Sequence, residues 1–285
     1  MKYIELENKT ALNKLKRKIP YGWDLNIYRG CEHGCKYCYA IYSHDYLGDG
    51  NFFDAVYYKK NLIETLEKEL SSPNWKREVI NIGGVTDSYQ PLEEKLAIMP
   101  EVLKLMIKYK TPIIISTKSS LILRDIDLID ELSKITYVNI AFTITTMDES
   151  LREKLEPGAS SSIERFNVLK EFSRTNASRG VHLMPIIPYL TDDIANLDEI
   201  YRLTKEIGAD YILPGTMYLI GKTKPYFMSF IRSFNEDIYN KIRILYIKGG
   251  AGNTYKDGLY KIINELKVKY NVHSNYMKAM KNKIK

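Results

Sequence analysis

The 285-residue sequence has three cysteines, and all of them fall between residues 31 and 38. Nothing outside that stretch can form a disulfide, and three thiols so close together cannot all pair with one another. A disulfide-stapled secreted fold is thereby excluded, and a reducing cytoplasm is the expected compartment. Long apolar runs are also missing. No stretch of about 18 uncharged apolar residues occurs, so no membrane partner is expected. Residues Met1 to Lys18 are polar and lack the apolar centre of a signal peptide. The glycine cluster Gly249-Gly250-Ala251-Gly252-Asn253 lacks the Gly-Lys-Ser/Thr of a phosphate loop and reads as a connector.

What is present is a basic, tyrosine-rich chain. Basic residues number 42 against 35 acidic ones, a net charge of +7 that is compatible with a nucleic-acid or other polyanionic partner. Part of the surplus lies in a lysine-rich tail from Lys267 to Lys285, which reads as a solvated end. Many of the 23 tyrosines stand in polar surroundings, where they can offer ring faces or hydroxyls to a ligand.

Hydrophobic periodicity predicts an α/β protein. Strands are expected at Asp24–Tyr28, Val79–Ile82, Pro112–Ser116, Tyr137–Ile144, Val181–Ile187 and Tyr211–Leu213. Helices are expected between them, at 59–70, 93–108, 125–132, 164–174 and 192–207. A Gly/Asp/Asn loop is expected at Leu47–Asn51. Alternation of this kind implies βαβ units with a parallel sheet. The chain divides into a short leader (1–22), a core (23–214) and a mostly helical C-terminal extension (215–285), with helices at 227–246 and 255–270. The extension is expected to cap the open side or the bottom of the core.

The three cysteines come after the first strand with the spacing C-x3-C-x2-C, at Cys31, Cys35 and Cys38. Soft thiolates select zinc, copper(I) or an iron–sulfur cluster. The residues alone admit a Cys3His zinc site completed by His33 or His44, or a [4Fe–4S] cube with one open iron.

The run R-G-C-x-H-G-C-x-Y-C-Y-A resembles the spore photoproduct lyase-related, DNA repair photolyase-like family within the radical S-adenosylmethionine (SAM) superfamily. The resemblance implies a partial (β/α)6 TIM-like barrel, a [4Fe–4S] cluster on Cys31, Cys35 and Cys38, and SAM bound at the open iron. It also implies one-electron cleavage of SAM to a 5′-deoxyadenosyl radical, with a flavodoxin or ferredoxin as the electron donor. By analogy with closed barrels, the site is expected at the C-terminal strand ends.

Further runs carry the same resemblance. Gly83-Gly84 ends the second strand, where the family receives the amino group of SAM. Thr86-Asp87-Ser88-Tyr89-Gln90-Pro91 resembles the family's T-D-x-Y-Q-P run, with Asp87 beside the cofactor. Ser116-Thr117-Lys118-Ser119 lies at the end of strand three, with Ser116 and Lys118 expected to line the SAM site. Glu156-Pro157-Gly158-Ala159 precedes Arg165, which is expected to hold the SAM carboxylate. His182 reads as a barrel-interior group. Tyr37, Tyr39 and Tyr89 are the side-chain candidates for hydrogen return, beside 5′-deoxyadenosine giving its hydrogen back or a product that needs none, because the loop after strand two reads Gly83-Gly84-Val85, where the lyase has a cysteine. The reading is a radical SAM enzyme acting on a nucleic acid or nucleotide. A peptide or small metabolite as substrate, or a non-enzymatic Fe–S or zinc protein, are the alternatives.

Overall fold

The computed structural model describes residues 1–16, 19, 21–46, 52–278 and 280. The loop expected at Leu47–Asn51 lies outside the described residues, as do the last lysines of the tail. Ten strands and ten α-helices occur among the described residues.

The leader supplies two strands, β1 (Lys2–Leu6) and β2 (Leu12–Lys14). The expected first strand is divided, because its residues join two different sheets. Trp23–Leu25 (β3) enters the main sheet, whereas Tyr28–Arg29 (β4) pairs antiparallel with Ala55–Lys59 (β5). A three-stranded sheet, β1-β5-β4, thus stands beside the main one. The cysteine loop leaves it at β4. Helix α1 (Leu62–Leu70) comes next, with Leu62, Leu66 and Leu70 buried.

The main sheet continues with β6 (Ile80–Ile82), β7 (Ile113–Thr117), β8 (Val138–Thr143), β9 (Ser178–Ile186) and β10 (Tyr211–Thr216). Its order is β10-β9-β8-β7-β6-β3-β2. From β3 to β10 all pairings are parallel, and β2 adds an antiparallel edge. Six parallel strands, each followed by helix, make the expected partial barrel. Ile80, Ile82, Ile113, Ile115, Val138 and Ile140 alternate along their strands and so share one face, which is closed to solvent, while Asn81, Ile114 and Asn139 between them face the barrel interior.

Helices α2 (Pro91–Leu96) and α3 (Ile98–Lys108) replace the single helix expected at 93–108. The break is at Ala97, which takes a left-handed conformation. Glu93 explains it: its carboxylate accepts from the backbone N–H groups of Ile98 and Met99 at 3.2 and 2.9 Å. Those N–H groups open a new helix and have no partner within it, so a carboxylate reaching forward is stabilising there. Helices α4 (Ile126–Ile135), α5 (Glu149–Leu155), α6 (Ser162–Glu171) and α7 (Ile194–Glu206) then cover the strands.

The extension contains α8 (Thr223–Phe234), α9 (Glu236–Leu245) and α10 (Asn253–Tyr270). Asn235 separates the first two, its extended backbone and side-chain oxygen capping Ile238 N at 3.0 Å. Phe227, Ile231, Ile242 and Tyr246 pack with Cys35, Tyr37 and Leu155 in one cluster, so the extension closes over the cysteine loop. The chain beyond α10 returns beneath the barrel. There Tyr276, Met277 and Met280 join Val79, Ile114 and Tyr137 near the strands' N-terminal ends.

Candidate functional site

A cavity of about 550 Å³ opens at the C-terminal ends of the barrel strands, and Cys31, Cys35 and Cys38 line it. Gly30 allows the loop to leave β4: its φ is +85°, and a Cβ there would lie 2.2 Å from the Ala55 carbonyl oxygen. Burial pushes all three thiols up, Cys35 to about 12. Thiols so placed deprotonate only against a cation, which is the requirement a bound metal meets. The all-sulfur donor set, on one short loop with Cys31 and Cys35 buried and Cys38 half-buried, faces an open cavity and fits an iron–sulfur cluster.

The motif runs are bonded to one another. The Glu32 N–H donates to Gln90 Oε1 at 3.0 Å, and the Leu92 N–H donates to Glu32 Oε2 at 2.7 Å. The Lys36 N–H donates to the Leu155 carbonyl at 2.8 Å, and the Gly158 N–H to that of His33 at 3.0 Å. A Cβ on Gly158 would stand 2.5 Å from the Glu32 carbonyl oxygen, so only glycine lets the two loops touch. His33 does not complete a zinc site. Its Nδ1 lies 2.8 Å from the Gly158 carbonyl and its Nε2 lies 3.0 Å from Asp87 Oδ2. His44 packs against Phe52 and Tyr57, away from the cavity lining.

Gly83, Gly84, Asp87, Ser116 and Lys118 all line the cavity. Asp87 is bonded into the wall itself. It accepts from Thr117 Oγ1 (2.8 Å), Tyr89 N (2.9 Å) and Lys118 N (2.8 Å), besides facing His33. Burial would raise its carboxyl, but His33 and these donors outweigh burial and hold it at about 2. Asp87 therefore fixes the backbone that presents Lys118. The Lys118 ammonium stands 5.8 Å from the Tyr37 ring centroid. Burial works against its charge, and the acidic groups of Cys35, Glu156 and Asp87 more than offset that.

Arg165 is not where the sequence reading puts it. It is fully buried and absent from the cavity lining. Its Nη2 meets Glu156 Oε2 at 2.5 Å, and it donates to the carbonyls of Ser160 and Thr143, both at 2.8 Å. Glu156 also receives the Tyr37 hydroxyl. Burial opposes charge on Glu156, but Arg165 and Lys118 hold its carboxyl below the usual range. Burial, and then Glu156, push the Tyr37 phenol far up.

Of the three tyrosine candidates, Tyr37 and Tyr39 line the cavity, and the Tyr39 hydroxyl donates to the Gly84 carbonyl. Tyr89 is fully buried in the main core and faces Asp125. It belongs to a scaffold in which Arg124 bridges Glu93 (2.7 Å) and Asp125 (2.8 Å), and Tyr28 donates to Glu93 at 2.5 Å.

The sequence reading left three wall residues ungrouped. Asn139 Nδ2 donates to the Tyr211 hydroxyl at 2.9 Å, which lies 3.2 Å from His182 Nε2. Gly180 makes room, since a Cβ there would meet the Tyr211 ring at 2.0 Å. Burial, and then Lys118, press His182 down to about 4, so it faces the cavity as a neutral imidazole. Only the parallel register of β8, β9 and β10 brings these three together, and no local spacing signals it.

Residues 25–204 match the family described as the Radical SAM superfamily. An uncharacterised protein of Mycobacterium tuberculosis is 30% identical over 283 residues, covering 97% of this chain and 83% of the relative. An uncharacterised protein of Methanocaldococcus jannaschii is 27% identical over 78% of this chain and 76% of its own. Among solved structures, spore photoproduct lyase complexed with dinucleoside spore photoproduct superposes with a TM-score of 0.68 at 12% identity. That superposition covers 94% of this chain and 79% of the lyase chain. At that identity the likeness speaks for the fold. The family match spans most of the barrel that carries the cysteine loop, and by it the chain belongs to the radical SAM superfamily.

Proposed function

We propose that this protein is a radical SAM enzyme acting on a nucleic acid or nucleotide, with Cys31, Cys35 and Cys38 holding a [4Fe–4S] cluster. The observation that carries the reading is the placement of all three thiols on the wall of one cavity at the barrel's C-terminal face. Cluster and SAM together supply a 5′-deoxyadenosyl radical by one-electron cleavage of the sulfonium.

The chain's own residues do the rest. Gly83 and Gly84 bring backbone to the cavity wall where the SAM amino group would bind, and Ser116 offers a hydroxyl. Lys118 takes the SAM carboxylate, a role expected of Arg165 until its charge is seen to be matched by Glu156. Asp87 and His33 lock the loops that present Lys118 and the cysteines. Buried Tyr37, packed with Phe227 and Ile231 of α8 beside Cys35, would shield that side of the cluster from water. A nucleic-acid substrate is supported by the basic surplus and by the fold shared with spore photoproduct lyase, solved with a dinucleoside.

The test is anaerobic reconstitution, with metal analysis first and turnover second. About four irons per chain, lost in Cys35→Ser, are expected of a cube. 5′-Deoxyadenosine release that rises on adding polynucleotide supports the substrate class. Stoichiometric zinc with no iron would overturn the enzyme reading, and release stimulated only by a protein or metabolite fraction would overturn the nucleic-acid part.

A further inference from the structure

Two tyrosines at the cavity are exposed and yet held. Tyr39 is 61% exposed and Tyr218 is 58% exposed, and both line the cavity. Exposed apolar side chains are ordinary when they stand alone and move freely. These two do not. The Tyr39 hydroxyl is tied to the Gly84 carbonyl. Tyr218 lies in an extended run after β10 that bridges to Gly250.

That run alternates. Met217 and Leu219 are buried, whereas Tyr218 and Ile220 are exposed. It is clamped from behind by the Leu219 N–H to the Gly249 carbonyl at 2.7 Å and by the Tyr246 hydroxyl to the Met217 carbonyl at 3.0 Å. The glycines are needed for the clamp. Gly249 has φ +83°, and a Cβ there would stand 3.0 Å from Ile220 Cγ2. A Cβ on Gly250 would stand 3.3 Å from the Tyr218 ring. The connector foreseen in the sequence is thus a device that fixes an aromatic ring at the mouth of the cavity.

The chain around Tyr218 is basic. Residues 222–256 carry seven basic residues and two acidic ones, Glu236 and Asp237. Lys256 Nζ lies 3.7 Å from where a Gly250 Cβ would stand, beside the Tyr218 ring. Lys241 lies over the exposed ring of Tyr189, at 5.7 Å from its centroid.

We propose that Tyr39 and Tyr218 form a stacking platform for an unpaired nucleobase at the cavity mouth, with Lys241 and Lys256 carrying the phosphates of the same strand. The inference rests on the nucleic-acid reading above and names its form: a single strand, or a nucleotide turned out of a duplex. Ring faces bind any base because every base has a π-face, and flanking cations track the backbone. A base that must reach a cavity behind the mouth has to leave its stack, and a fixed aromatic face offsets part of that cost. An acidic peptide without aromatic residues would satisfy the lysines and leave both rings without a stacking partner.

The experiment uses the cluster-loaded protein under anaerobic conditions and a short fluorescein-labelled oligothymidylate, read by anisotropy over a salt series. Tyr218→Ala is expected to weaken binding by about 5- to 100-fold, the value of one stacked base. Tyr218→Phe should keep the affinity, which separates stacking from misfolding. An abasic strand of equal length should bind the wild type at least as weakly as oligothymidylate binds Tyr218→Ala, because it loses the contact with Tyr39 as well. The salt dependence should be unchanged in Tyr218→Ala and shallower in a Lys241→Ala/Lys256→Ala variant. Equal binding of abasic and base-bearing strands, or displacement of the strand by polyglutamate as readily as by unlabelled oligonucleotide, would overturn the platform. Release of 5′-deoxyadenosine is measured separately, so the platform can fail while the enzyme reading stands.

Discussion

The Arg165 guanidinium stands 2.5 Å from the Glu156 carboxylate, and neither side chain has any contact with solvent. A buried pair of this kind matters less for the energy it adds than for the penalty incurred when one member is removed. Arg165→Met should lower stability by about 3–5 kcal/mol, the usual cost of leaving one buried charge alone. Adding Glu156→Leu should restore most of it. Denaturant midpoints of the two variants decide the matter; a single variant as stable as the wild type would show the pair to be dispensable. Because the Leu155 carbonyl and the Gly158 N–H hold the cysteine loop, the single variant should also retain less cluster.

Lys118 is the test of where the SAM carboxylate is held. Lys118→Ala should reduce SAM affinity in cluster-loaded protein by about 10- to 100-fold, as expected for loss of a partly desolvated charge partner. The cluster's visible absorbance should be preserved. Equilibrium dialysis with labelled SAM gives the answer, and unchanged affinity would send the carboxylate elsewhere.

His182 predicts a pH dependence. Its pKa is pressed down from the ordinary 6.5 to about 4, so the unfolded chain binds the proton more readily than the fold does. Stability is therefore flat in this respect above pH 6.5 and falls as pH drops from 6.5 toward 4, by about 3 kcal/mol in total. His182→Gln keeps an acceptor for Tyr211 and does not titrate there. Its unfolding free energy should lose less than the wild type's across that window. Parallel profiles would mean that His182 is not held neutral.

Hydrogen return, where the product requires it, cannot use a protein thiol outside the cluster loop, because this chain has no other cysteine. Tyr37 and Tyr39 remain on the cavity, and Tyr89 is closed off in the core. A phenolic O–H is a stronger bond than a thiol S–H, and the Tyr37 proton is engaged by Glu156. SAM should accordingly be consumed in step with product on a synthetic thymine lesion, or activity on it should be poor. Counting 5′-deoxyadenosine against repaired thymine tests this, and many repairs per SAM would refute it.

The six-stranded parallel core and the cysteine loop at its C-terminal face were legible in the sequence, for a physical reason. Strands closed over by helices carry apolar residues in short runs or at alternate positions, helices on one face must repeat every three or four residues, and the three cysteines stand within residues 31 to 38. Those signals are local. The tertiary structure decided what depends on distant partners. Glu93 reaches forward and breaks a helix that periodicity joins. Ile4 and Leu6 find a place beside β5, so a short stretch expected as a leader becomes strand. Arg165 meets Glu156, and its charge is matched before any ligand arrives. A side chain's charge is written in the sequence, but whether that charge remains for a ligand depends on which neighbour burial brings against it.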